Sequence, residues 1–241
     1  MDVAQPAVPT HPRPLAGWRS LVAISLAALT AFAFFVSVAL PYLTLDATVL
    51  ARYPHRRPEL LVHIAAGAVA LLVGPIQLWL GLRGRTLAAH RLLGLIYVTS
   101  VGLGSTAAFY LAARTTLGWV FAAGITGLGI AWVLTTTLAV VAISRGLVEQ
   151  HKEWMIRSYV VTFAFVTFRA LWLTLQAAGI GTQAEQLGAS AWFCWAVPLL
   201  IVESVMQGRR IFGTHHASAR ASGMSIDALS RVGFNTSRGH L

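Results

Sequence analysis

The chain has 241 residues, of which 56% are hydrophobic and only 11% charged, and its mean hydropathy is +0.69. A soluble domain carries about 25% charged residues, so charge this sparse excludes a water-soluble globule or a disordered chain over most of the sequence. The single cysteine, Cys194, excludes an intramolecular disulfide and any metal site built on several thiolates.

A membrane-spanning helix needs about 20 mostly apolar residues, because each advances about 1.5 Å through a hydrocarbon core of about 30 Å. Taken in chain order, residues 1–17 are proline-rich and read as a disordered tail. The first apolar stretch runs from Ser20 to Leu45, behind Arg13 and Arg19. Its length exceeds the roughly 7–15 residues of a signal-peptide core, so it is expected to stay as an uncleaved span. A loop with Arg52, Arg56 and Arg57 leads to the second stretch, Glu59 to Leu82. The third, His90 to Ala113, and the fourth, Gly118 to Ser144, follow after short turns. The fifth runs from Glu153 to Ala177 and the sixth from Gly188 to Met206. Residues 213–241 mix Ser, Gly, Arg and His without apolar periodicity and read as a second disordered tail. The runs are much longer than a barrel strand of about ten residues and do not alternate. The expected fold is therefore an all-α bundle of six transmembrane helices over residues 18–212, with short loops and antiparallel neighbours.

Basic residues set the orientation. With the N-terminus in the cytoplasm, thirteen of the eighteen Lys and Arg fall inside, four fall outside, and Arg169 lies within a span. Both termini are thus expected to be cytoplasmic, and the location to be a bacterial plasma membrane. The net charge of +10 is explained by topology and by anionic lipid as the partner, with no sign of nucleic-acid reading. Trp18, Trp119, Trp154 and Trp192 fall near expected interfaces and read as anchors.

Polar side chains inside the membrane are the informative ones, since each costs at least about 2.5–3.5 kcal/mol if charged at the bilayer centre. His63 lies one turn into the second span, His90 opens the third, and His151 precedes the fifth in what reads as a loop, the last two near the inner face. His63 with Gly67 and His90 with Gly94 each place a glycine one turn after an imidazole, which leaves room for a flat ligand or for close helix packing. Arg169 follows Arg157 by twelve residues, a rise of about 18 Å, and reaches the depth of His63 in the outer half. It either reaches up to water or holds an anionic or carbonyl-bearing ligand. At the inner face Gln77, His90, Arg91, His151, Lys152, Glu153, Arg157 and Glu203 cluster, with Glu203 expected to pair with Arg157 or a histidine. The cluster is either a site or a solvated charged face. In the fourth span Ala123, Gly127 and Ala131 form a small-residue packing stripe.

Two histidines on parallel helices could ligate the iron of a b-type haem, with Arg91 and Arg157 meeting its propionates. A quinone held by the same groups is the other cofactor expectation. His63 lacks a histidine partner on the fourth span, which argues against a second haem.

Several segments stand in sequence order: His63-x3-Gly67, Gly74-Pro75-Ile76-Gln77, His90-Arg91-x2-Gly94-x2-Tyr97, His151-x2-Trp154-Met155-x-Arg157-Ser158-Tyr159-x2-Thr162-Phe163-Ala164, and Val166-Thr167-x-Arg169. In these the chain resembles the predicted membrane proteins of domain-of-unknown-function family 2306, over the second to fifth spans. The resemblance implies one recurring site or packing core and no particular activity. The layout is also loosely similar to the six-helix ascorbate-dependent cytochrome b proteins, which need a further histidine on the fourth helix. Three functions follow as expectations. One is a redox protein holding haem or quinone at the cytoplasmic side. The second is a small-anion or proton pathway through His63, Arg169, Gln77 and Glu203. The third is a scaffold whose polar residues lock helices together.

Overall fold

A computed structural model of the chain describes residues 18–45, 57–83 and 87–233. The N-terminal tail, the loop arginines Arg52 and Arg56, the turn at 84–86 and the last residues, 234–241, lie outside the described residues. Among the described residues there is no strand. Six helical stretches are long and apolar enough to span a bilayer: Ser20–Leu43, Pro58–Gly81, Ala88–Ala113, Trp119–Ser144, Val148–Ala177 and Gln183–Ile211. The chain is an integral membrane protein.

Local chemistry explains where these helices bend and stop. Pro41 has no N–H to give Ser37, and the first span widens just before it into a π turn, Phe35–Ala39. The fourth span ends where Gly146 adopts φ +74°. Leu147 N–H then bonds the Ala142 carbonyl at 2.9 Å and closes the helix end. The fifth span starts at Val148, five residues before the expected Glu153, so His151 and Lys152 are helical rather than in a loop. It is two helices, Val148–Thr162 and Ala164–Ala177, joined at Phe163.

The sixth helix also starts earlier than expected, at Gln183. The reason is a capping box: Glu185 Oε2 accepts from Thr182 N–H at 2.7 Å, and Glu185 N–H donates to Thr182 Oγ1 at 3.4 Å. This helix runs on to Gly233, where a disordered tail was expected beyond residue 212. No proline follows Pro198, and Ala, Arg and Met in this stretch favour helix. The helices divide into two compact units at Ala196. In the second, Gln207 Nε2 donates to Glu203 Oε1 at 2.7 Å, one turn apart on the same helix.

Within the first unit, the second span packs along the third, and the fourth along the fifth. Two prolines explain how the fifth span is tied in. Pro75 cannot donate to Leu71, four residues earlier, and Tyr159 O–H donates to that carbonyl instead, at 3.3 Å. Gly74 makes this possible, because a Cβ there would collide with the Tyr159 ring. The Cys194 carbonyl is orphaned in the same way by Pro198, and Thr167 Oγ1 donates to it at 2.7 Å. Hydrocarbon supplies no water to repair an unpaired carbonyl, so each of these hydroxyls replaces a missing helix bond. The small residues of the fourth span face the sixth: a Cβ at Gly124 would lie 2.8 Å from the Ala191 Cβ, and one at Gly127 3.1 Å from the Trp195 ring.

Tyr159→Phe leaves the Leu71 carbonyl unpaired and should destabilise the protein by about 1–3 kcal/mol, read as a fall in melting temperature in detergent. Gly74→Ala should cost more, because it displaces the whole ring; a melting temperature equal to wild type for either variant contradicts the tie.

Candidate functional site

The intramembrane polar residues gather at two places, one toward each end of the spans. At the end that carries Arg169, a cavity of about 630 Å³ lies between the first to fifth spans and the start of the sixth helix. That volume is in the range of small-molecule sites. Its walls are apolar and aromatic: Trp132, Phe121, Phe165 and Phe168 on one side, with Phe35 and Val38 from the π turn of the first span on the other. π turns in long helices often sit at functional sites.

Tyr42, Thr115 and Gln183 line this cavity, and with them His63, Arg169 and Trp172. His63 Nδ1 lies 3.0 Å from the Gly104 carbonyl, an acceptor, so Nδ1 carries the proton and Nε2 keeps its lone pair. Arg169 is half-buried, and its guanidinium lies over the Trp172 ring, 5.4 Å from the centroid. No carboxylate among the described residues pairs with it. Glu185 is committed to the helix cap, and Glu59 Oε2 is buried without a hydrogen-bond partner. Trp172 Nε1 is buried without an acceptor. The structure thus brings His63 and Arg169, 106 positions apart in the chain, to one enclosure.

At the other end, His90 and His151 face each other edge to face, with ring centroids 6.4 Å apart. His151 Nδ1 lies 2.8 Å from the Ala139 carbonyl, an acceptor, so Nδ1 carries a proton and Nε2 is the lone-pair nitrogen of the neutral ring. Gln77 Nε2 donates to the His90 carbonyl at 2.8 Å. Two atoms here are buried without a partner, His90 Nδ1 and Gln77 Oε1. Arg157 is buried, lies over the Trp154 ring at 4.6 Å, and has Glu153 at 3.7 Å one turn back. Trp154 is therefore a stacking partner and not only an interfacial anchor. Lys152 pairs with Glu149 at 2.8 Å on the exposed side, and Arg91 is exposed. The expected inner cluster thus separates into an inward group, buried Gln77 and Arg157 with half-buried His90 and His151, and a solvated face. Glu203 belongs to the second unit and bonds Gln207 there.

The glycine notches beside the imidazoles are filled by side chains. A Cβ at Gly67 would lie 2.7 Å from Phe165 Cζ, and one at Gly94 would lie 2.8 Å from Gln77 Nε2. The Phe165 ring also packs against His63, with centroids 5.3 Å apart. The glycines therefore position the aromatic wall and the glutamine that face the histidines.

Reading the sequence alone misses the network between the two ends, although Tyr97, Ser158 and Thr162 stand in the family-like segments. Tyr97, Thr136, Ser158 and Thr162 are all buried and bonded to one another. Their signal was present as hydroxyls on three apolar spans near the bilayer centre, but hydroxyls also bond their own helix and are common there.

Gly67→Ala should push Phe165 off His63 and cost about 1–3 kcal/mol by overpacking. A thermal-shift measurement checks this, and an unchanged melting point would show that the ring is free to move.

The profile of one family, the predicted membrane proteins designated DUF2306, matches residues 60–206. No curated protein and no solved structure matches the chain.

Proposed function

The chain belongs to the DUF2306 family of predicted membrane proteins, and from that premise we propose that it binds a lipid-soluble carbonyl compound of the quinone class in the cavity shared by His63 and Arg169. One observation carries the reading. A mostly apolar enclosure of about 630 Å³ presents a guanidinium with no carboxylate partner among the described residues and a buried indole N–H with no acceptor. Both are donors, so they call for an oxygen acceptor, while the aromatic walls suit a flat, apolar ring. The His63 Nε2 lone pair accepts a proton or hydrogen bond from a hydroxyl, which suits the reduced form of such a ring. A quinone is also the class that a membrane redox protein would exchange with the bilayer. With both termini cytoplasmic, as the basic residues favour, the cavity lies in the outer half of the membrane. The reading thus moves the quinone from the cytoplasmic side to the opposite end.

The test is a titration of the detergent-solubilised protein with a short-chain benzoquinone, read by quenching of tryptophan fluorescence. Saturable quenching is expected, and Arg169→Gln should weaken it by about tenfold or more, the loss of one charge-assisted hydrogen bond. Non-saturable quenching, or equal affinity in the variant, contradicts the proposal.

A second reading rests on the His90–His151 pair. His90 and His151 are ring neighbours, with centroids 6.4 Å apart, and would be the residues to hold the iron of a b-type haem there. The Ala139 carbonyl on His151 Nδ1 also leaves Nε2 free to ligate, a usual support for a metal-bound histidine. Protein purified from haem-replete cells would then show a Soret band that His151→Ala abolishes. A colourless preparation would remove this reading and leave the first intact.

A further inference from the structure

The bilayer centre of this protein holds an unbroken line of hydroxyl groups. Tyr97 Oη lies 2.7 Å from Thr162 Oγ1 and 2.8 Å from Ser158 Oγ, and Ser158 Oγ lies 2.7 Å from Thr136 Oγ1. Each end of the line also has a carbonyl within reach. Thr162 Oγ1 can donate to the Ser158 carbonyl at 2.9 Å, and Thr136 Oγ1 to the Trp132 carbonyl at 2.8 Å. Trp132 Nε1 donates to Thr162 Oγ1 at 2.8 Å and fixes that end. All four hydroxyl residues are buried, with Ser158, Tyr97 and Thr162 fully so.

Counting protons gives this line its character. There are three hydroxyl–hydroxyl links and two terminal carbonyl links, five in all, for four hydroxyl protons. Every arrangement that leaves one link empty keeps all four protons hydrogen-bonded. The line can therefore point from Thr162 to Thr136, ending on the Trp132 carbonyl. It can equally point from Thr136 to Thr162, ending on the Ser158 carbonyl. Reversing it breaks no net hydrogen bond, so the usual cost of an unpaired buried donor does not oppose the reversal. A network needed only to fasten helices gains nothing from this freedom.

The line lies between the two histidine sites. Trp132, which holds Thr162, lines the His63–Arg169 cavity, as do Val161 and Ala164 on either side of Thr162. Thr136 precedes by three residues, a rise of about 4.5 Å, the Ala139 whose carbonyl holds His151. We propose that Thr162, Tyr97, Ser158 and Thr136 form a proton relay through the bilayer centre, linking the His63–Arg169 cavity with the His90–His151 pair. In a transfer, each oxygen passes its proton to the next as it receives one from behind. One O–H bond forms and one breaks at every oxygen, and no electron moves. One proton enters at one end and one leaves at the other. The line then turns over to its starting polarity; Thr162 and Thr136 are buried, so the transfer requires a water molecule to enter beside each of them. This stands independently of what the cavity binds, because it rests on the hydroxyl geometry alone.

The test uses full-length protein in liposomes of phosphatidylcholine and phosphatidylglycerol containing a pH-sensitive dye, with a valinomycin potassium potential as the driving force. Proton entry faster than in protein-free liposomes is expected. Tyr97→Phe, which keeps the ring and removes the central oxygen, should cut it about tenfold or more. Ser158→Ala should do the same, and Ser158→Thr, which restores a hydroxyl, should recover it. Helix content and elution profile confirm folding; if Tyr97→Phe does not fold, the Ser158 pair decides alone. Benzoquinone quenching in Tyr97→Phe should stay as in wild type, which separates loss of the relay from loss of the cavity. Wild-type liposomes no more permeable than empty ones, or undiminished flux in a folded Tyr97→Phe or Ser158→Ala variant, would overturn the relay.

Discussion

A carbonyl that loses its helix partner inside hydrocarbon has no water to turn to, and the folded core of this protein follows from that constraint. Pro75 and Pro198 each free one carbonyl, and the fifth span supplies a hydroxyl to both, Tyr159 to Leu71 and Thr167 to Cys194. These two bonds tie the fifth span to the second and to the start of the sixth helix. Gly74 exists to admit the Tyr159 ring. The histidines obey the same rule from the opposite side. Each of His63 and His151 spends one ring proton on a helix carbonyl, Gly104 or Ala139, and keeps its second nitrogen for something else. Bonding to the backbone and availability to a ligand are therefore compatible in these residues, not alternatives.

The polar interior has a clear division. The Arg169 end is a cavity with donors and aromatic walls. The opposite end is a compact group in which Arg157 is already engaged by Trp154 and Glu153. That difference decides where a guest molecule is best placed. A cation with no acid paired to it among the described residues, held over an indole ring, still has an unmet electrostatic demand. A cation stacked and paired does not. The hydroxyl line between the two ends is the only part of the described core where the hydrogen bonds can be reversed without loss, and it lies where a path between the ends must cross.

The spans were legible because a bilayer demands long uninterrupted apolar runs, and little else in a sequence looks like that. Their ends were less legible, for identifiable reasons. The start of the sixth helix was written in Thr182-x-x-Glu185, a capping signal outside the apolar run. His151 was helical because the turn closed by Gly146 ends at Leu147, which the charge run after it obscured. His63, Arg169 and Gln77 could be singled out one by one, since a polar residue in an apolar span is conspicuous. That His63 and Arg169 share an enclosure could not be read, because it depends on how helices rotate about their axes. The hydroxyl line was hidden for the same reason: Tyr97, Thr136 and Ser158 are unremarkable singly and become a network only through packing.

The most direct measurement is organic extraction of the purified protein, followed by mass spectrometry of what comes off. Polar groups left unmatched inside the membrane must be turned toward a molecule that matches them. Roughly one prenylated quinone per chain should therefore co-purify with the wild type and be absent from Arg169→Gln. Recovery of bulk phospholipid alone, in equal amounts from both, would contradict that account.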